Sequence, residues 1–226
     1  MTIFVVNPNS SEVVTAGIDR AMEPLRALSP APIAAVQLDE GPKGIETQAH
    51  VDGVVAPLLK RAAALEDEAS AFVVACFSDP GLAAMREQSR RPVLGIADSA
   101  ILTAMSVGQR FGVLSILSRS VPRHMRMFGA MGVMDRLAAD LPLELGVADL
   151  ADETRTFARL QEVGRTLRDA HGADVLILGC AGMTRFRAAL EDALGRPVIE
   201  PCEAAAAMAI GRVALARAQQ NQGDDR

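Results

Sequence analysis

The chain has no tryptophan and no tyrosine, and it carries only seven phenylalanines, three cysteines and three histidines. Each shortage excludes something. Without aromatic side chains interleaved among clustered Lys and Arg there is neither a stacking platform for bases nor a charge stripe for phosphates, so nucleic acid is not an expected partner. Apolar stretches are broken by Gly, Pro or charge far short of the ~20 residues that cross a bilayer. The first residues enter a strand-like run at once, without the basic flank and cleavable apolar core of a signal peptide. No membrane association and a cytoplasmic location are therefore expected. An odd cysteine count argues against a disulfide framework, and in a reducing compartment Cys76, Cys180 and Cys202 stay thiols. No CxxC, HxxxH or HExxH spacing occurs, and His50, His124 and His171 are scattered, so no metal is expected.

What is present is a chain of 226 residues, half of them apolar, with a formal charge of −5. That length suits one large domain or two small ones. Short β-branched runs at 2–6, 33–38, 71–76, 93–96, 111–115, 174–180 and 198–200 alternate with helix-period stretches, the clearest at 48–66, 99–109, 153–170, 185–194 and 203–218. Continuous apolar strands separated by helices point to an α/β fold with mainly parallel sheets.

The chain also repeats itself. CFSDPGLAAMREQSRRPVLGIADSA follows one cysteine and CAGMTRFRAALEDALGRPVIEPCEA the other. Each reads as cysteine, Gly-containing turn, amphipathic helix, Arg-Pro, short strand and Ala-rich helix. Cys76 precedes its Pro92 by 16 residues and Cys180 its Pro197 by 17. Two pseudo-symmetric α/β lobes follow, 1–100 and 101–218, each a parallel sheet flanked by helices, with the active site in the cleft between them. The last helix, 203–218, is compatible with packing back on the first lobe, and the polar tail 219–226 is expected to be disordered.

In such sheets ligands bind beyond the carboxyl ends of the strands, where both cysteines fall. Two thiols facing one cleft fit a two-base proton transfer at a carbon beside a carbonyl: one thiolate removes the proton and the opposite thiol returns one to the other face. The turns after each cysteine offer backbone N–H groups to lower the thiol pKa and to bind a developing enolate. Asn7, Asn9, Ser10 and Ser11 add polar contacts at the end of the first strand. By residue type alone, other candidates read as structure. Cys202 matches Ala97 in the repeat and reads as packing. His124, in the Arg-rich SRSVPRHMRM, reads as part of a solvated helix face. Asp79 reads equally as a turn cap or an acid, and Met183 with Met125, Met127, Met131 and Met134 as packing.

NPNSS at 7–11, GPKGIE at 41–46, ACFSDPGL at 75–82 and LGCAGM at 178–183 together resemble the aspartate/glutamate racemase superfamily, and within it the hydantoin and allantoin racemase branch. The resemblance implies Cys76 and Cys180 as the acid/base pair. It implies a substrate site around Asn9, Ser10, Ile45, Phe77, Ser78, Asp79, Ala181, Gly182 and Met183, no cofactor, a small-molecule substrate and a homo-oligomer. Gly44 stands where the family commonly has Ser, Ser78 where Gly is common, and Ser115 where Thr is frequent. Racemisation of a 5-substituted hydantoin or a related cyclic ureide such as allantoin is the leading reading. Racemisation of an open-chain amino acid of the aspartate/glutamate type, or a related decarboxylation or isomerisation, is the alternative enzyme reading. A ligand-binding protein or thiol redox sensor is the non-catalytic one.

Overall fold

The computed structural model of the chain describes residues 1–224, with side chains described through residue 219. The first half runs β1 (Thr2–Asn7), α1 (Glu12–Ala21), α2 (Glu23–Arg26), β2 (Ile33–Gln37), α3 (Gln48–Gly53), α4 (Val55–Leu65), β3 (Ala69–Val74), α5 (Leu82–Gln88), β4 (Val93–Gly95) and α6 (Ile96–Val107). The second runs β5 (Phe111–Ser115), α7 (Val121–Met131), β6 (Leu137–Pro142), α8 (Glu153–Asp169), β7 (Val175–Leu178), α9 (Arg187–Leu194), β8 (Val198–Ile199) and α10 (Pro201–Asp224).

The strands form two four-stranded, all-parallel sheets of identical plan, β2-β1-β3-β4 and β6-β5-β7-β8. Successive side chains on a strand point to opposite faces, so the run Ile3-Phe4-Val5-Val6 feeds two cores at once. Ile3 and Val5 pack with α1 and α10, while Phe4 and Val6 pack with α3 and α4. The second sheet buries Leu114, Leu176 and Leu178 against α8 and α9, and Phe111, Val113, Val175 and Ile177 on its other face.

The last helix of each half crosses to the other. Ala97, Ala100, Ile101 and Ala104 of α6 lie on the second sheet. Ala205, Ala206, Ala209 and Val213 of α10 lie on the first. Small alanines on both helices let the backbones approach each other and the sheets closely. Cys202 is fully buried in this packing. The helix does not end where the polar tail begins. It continues to Asp224; residues 225–226 lie outside the described residues.

Two other readings need correction. The stretch 48–66 is two helices, α3 and α4, broken at Val54. The strand β6 is absent from the periodic pattern because LAADLP is an edge strand, mostly half-buried, and carries an acid and a proline. No helix among the described residues is long and apolar enough to cross a membrane.

Candidate active site

In each sheet the chain reverses its winding between the first and third strands, β1 and β3 or β5 and β7, which opens a crevice beyond their carboxyl ends. Both cysteines sit at this point and in the same register. Ala75 donates its N–H to Val6, and Gly179 donates to Leu114. The chain therefore leaves each sheet one residue before Cys76 and one before Cys180.

Cys76 and Cys180 line one cleft, together with Asn9, Ile45, Phe77, Ser78, Ala181 and Gly182. Ser120, Arg123, His124 and Val147 of the second lobe complete it. Three residues of the expected site lie elsewhere. Ser10 holds the neighbouring loop by donating its N–H to Pro42. Met183 is fully buried in the second core. Asp79, within the Cys76 loop, turns its carboxylate to the Ala97 and Asp98 N–H groups and does not line the cleft.

The polar loop after β1 is self-consistent. Ser11 caps α1 by accepting from Val14 N–H. Asn9 Oδ1 accepts from Ser11 N–H at 2.9 Å and from Asn7 Nδ2 at 3.0 Å. Since a backbone N–H can only donate, the amide is fixed with its Nδ2 free to donate.

Both thiols are half-buried. Loss of solvation pushes Cys76 up to about 12, only partly offset by the Ser78 N–H and by Arg123, and raised further by charge on Cys180 and Asp79. Burial likewise pushes Cys180 up to about 11 against the Gly182 N–H, which points at its sulfur at 3.4 Å. The turn N–H groups favour the thiolates, as their positions suggest, but desolvation outweighs them. A pair so placed favours its protonated form, and two anions together are the least favoured state.

A cation that no motif marks stands beside Cys76. Arg123, on α7 of the other lobe, donates through Nε to Ser78 Oγ at 2.9 Å and through Nη2 to Ser120 Oγ at 2.8 Å. Its neighbour His124 is buried, not on a solvated face as its Arg-rich context suggests, because α7 turns that side towards Phe77 and Phe128. Neither residue was visible as a site residue, since both reach the cleft only through the packing of the second lobe on the Cys76 loop.

Each cysteine loop is pinned by one buried carboxylate, and the two halves supply it from opposite sides. Asp79, in the loop, accepts from Ala97 N–H at 3.1 Å and Asp98 N–H at 2.9 Å and so caps α6, whose own cap residue Gly95 has no side chain. In the second half Glu200, at the position corresponding to Gly95, accepts from Glu203 N–H at the start of α10 at 2.6 Å and from the Thr184 hydroxyl of the Cys180 loop at 3.0 Å. A Cβ on Gly95 would lie 2.2 Å from the Asp79 carboxylate, so one carboxylate excludes the other. Burial raises both to about 7, against the N–H groups that favour the anion.

Between the lobes, Glu46 pairs with Arg119 at 2.8 Å and accepts from Val147 N–H at 2.9 Å. Gly44 belongs to the same closure. A side chain there would meet Val147 Cβ at 2.8 Å, so the absence of a hydroxyl at this position goes with the close approach of the second lobe. The cleft holds about 30 Å³, and an adjoining cavity of about 560 Å³ shares Val14, Val147, Ala181 and Gly182 with it. Among the described residues no group of three or more His, Cys, Asp or Glu side chains is placed to hold a metal ion.

The same architecture occurs in known proteins. Over 219 residues the chain is 37% identical to a hydantoin racemase from Paenarthrobacter aurescens, covering 95% of this chain and 92% of that one. It is 34% identical over 217 residues to a hydantoin racemase from Rhizobium meliloti, covering 92% and 87%. The structure of an allantoin racemase from Klebsiella pneumoniae superposes with a TM-score of 0.88 at 31% identity, covering 96% of this chain and 89% of that one. Residues 3–209 match the Asp/Glu/Hydantoin racemase family. A match that runs from β1 into α10, with relatives sharing a third of their residues over nine-tenths of the chain, makes this chain a member of the Asp/Glu/Hydantoin racemase family.

Proposed function

We propose that the protein racemises a 5-substituted hydantoin or a related cyclic ureide such as allantoin, using Cys76 and Cys180 as a two-thiol acid/base pair. The observation that carries this reading is the placement of two thiols at equivalent positions of two lobes that share one cleft. Relatives named as hydantoin and allantoin racemases support the substrate class.

The chemistry follows from the site. One sulfur, as thiolate, takes the proton from the ring carbon beside the carbonyl, and the C–H electron pair moves onto the carbonyl oxygen as an enolate. The opposite thiol then delivers its proton to the other face of that carbon, the enolate reverts to the carbonyl, and the two cysteines end the turnover with their protonation exchanged. Burial raises both thiols and so disfavours the thiolate that starts the cycle, while Arg123 offsets part of that rise on the Cys76 side. Asn9 Nδ2 is free to donate to a ring carbonyl, where a hydrogen bond strengthens as charge develops. The imide ring acidifies the carbon that must lose its proton, so two weakly acidic thiols suffice without a free substrate carboxylate. The Glu46–Arg119 ion pair ties the two lobes together beside the cleft. Cytoplasmic residence, where the thiols stay reduced, and assembly as a homo-oligomer belong to the same reading.

The test is solvent-deuterium incorporation at C5 of single-enantiomer hydantoins and allantoin, with aspartate and glutamate in parallel. Exchange with loss of optical activity is expected for a ureide, and Cys76→Ser or Cys180→Ser lowers racemisation at least a hundredfold. Exchange confined to the open-chain amino acids refutes the ring substrate.

A further inference from the structure

The cleft contains one polar group that the two-thiol reaction leaves without a task. His124 is 2% exposed, and its Nδ1 lies 2.8 Å from Asp140 Oδ2 and 3.2 Å from Ser115 Oγ. The Ser115 hydroxyl donates to the other oxygen of the same carboxylate. A carboxylate only accepts, so the proton of a singly protonated ring sits on Nδ1 and leaves Nε2 as the lone-pair acceptor. Asp140 itself is buried and sits on β6, the edge strand, so the pair is fixed by the sheet and not by a loop. Phe77 meets the imidazole edge-on at 5.3 Å and Phe128 lies at 6.2 Å, which holds the plane of the ring.

Nε2 has no hydrogen-bond partner among the described residues, yet it is not sealed in the core, since His124 lines the cleft beside Cys76, Ser120 and Arg123. The other polar side chains there are already committed or are donors. Arg123 occupies the hydroxyls of Ser78 and Ser120, and Asn9 presents an N–H. An acceptor held this rigidly at the edge of a small cleft, with no protein donor facing it, is matched to a donor on the ligand. Cyclic ureides offer that donor. Their ring N–H groups lie beside carbonyls, so a cleft with several donors and one imidazole acceptor matches their edge, whereas a carboxylate at the same place would meet a lone pair.

We infer that His124 Nε2 accepts a hydrogen bond from a ring N–H of the substrate, with Asp140 and Ser115 as positioning residues that fix its tautomer. This rests on the ring-substrate reading above and adds the residue that recognises the ring. The role is recognition: no proton moves to His124.

The experiment compares 5-benzylhydantoin with its N1-methyl and N3-methyl derivatives, read as kcat/KM for deuterium exchange at C5, in the wild-type protein and in His124→Asn. Asparagine can still donate to Asp140, so the buried carboxylate keeps its partner while the acceptor is lost. Wild type is expected to lose about tenfold on one of the two methyl derivatives, the worth of one hydrogen bond. His124→Asn is expected to lose about tenfold on the parent compound and nothing further on that derivative. Asp140→Asn, which can present an N–H to Nδ1 and turn Nε2 into a donor, reproduces the loss on the parent. Equal wild-type rates on all three compounds overturn the assignment without touching the ring-substrate reading, as do losses that multiply in His124→Asn. No exchange with the parent compound or with allantoin overturns the ring-substrate reading, and the assignment with it.

Discussion

Replacing Gly95 with alanine is a small change with a large expected cost, and the structure says where that cost arises. At φ −93° and ψ 143° any L-residue is comfortable at this position, so no backbone strain is involved. The added Cβ would lie 2.2, 2.3 and 2.6 Å from the three carboxyl atoms of Asp79. The carboxylate must leave, and α6 loses both N–H bonds from Ala97 and Asp98. Losing a helix cap costs about 1–2 kcal/mol, and stranding a displaced carboxylate in a buried place adds a similar amount, for a total of about 3 kcal/mol. Asp79→Gly removes the same cap but also the obstacle, and it relieves a non-glycine residue held at φ +42°, which returns about 1 kcal/mol. Its net cost is about 1 kcal/mol. In the double variant the new methyl group finds open space, so the pair should be destabilised by about 1 kcal/mol instead of the additive sum of about 4 kcal/mol. Urea unfolding of the four proteins measures this coupling of about 3 kcal/mol. Additivity to within about 0.5 kcal/mol would show that Asp79 does not occupy the space Gly95 leaves.

Two further outcomes follow from the charges around the thiols. Arg123 lowers the Cys76 thiol, so Arg123→Met leaves less thiolate at any given pH; the rising limb of the activity profile moves to more alkaline pH and kcat/KM near neutrality falls about tenfold. An unmoved limb would remove Arg123 from the acid/base chemistry. Glu200 has a folded pKa of about 7 against an ordinary 4.5, so folding favours its protonated form. The stability it contributes is full below about pH 4.5 and is lost as pH rises through 7. Compared with the wild type, Glu200→Gln should therefore lose the downward slope between those values in chemical denaturation, and parallel curves would refute the assignment.

Periodicity was enough to place most strands, since a parallel strand buried on both faces has no choice but a continuous apolar run. The repeat located the two cysteine loops, because the same local requirement, a turn after the third strand of each sheet, recurs in sequence. Long-range pairings were not legible. Asp79 and Glu200 stand at non-equivalent positions of the repeat and look unrelated, and only the packing of each loop on the following helix reveals one task performed from two sides. Arg123 and His124 share a stretch whose charge reads as solvent-facing. What buries them is the Cys76 loop of the other lobe, some 45 residues earlier in the chain. The edge strand β6 escaped for a similar reason: its one buried side chain, Asp140, is polar because it serves a histidine and not a core.

The exchange of α6 and α10 between the sheets has a consequence for how the protein is made. Ile3, Val5, Ala71 and Val73 are synthesised long before Ala205, Ala206, Ala209 and Val213, which with α1 cover the face they form. During translation that apolar face stays partly uncovered until α10 has emerged. The first half alone exposes the part of this face that α10 covers, a client surface for a holding chaperone. Acquisition of protease resistance should come late and all at once, when α10 arrives.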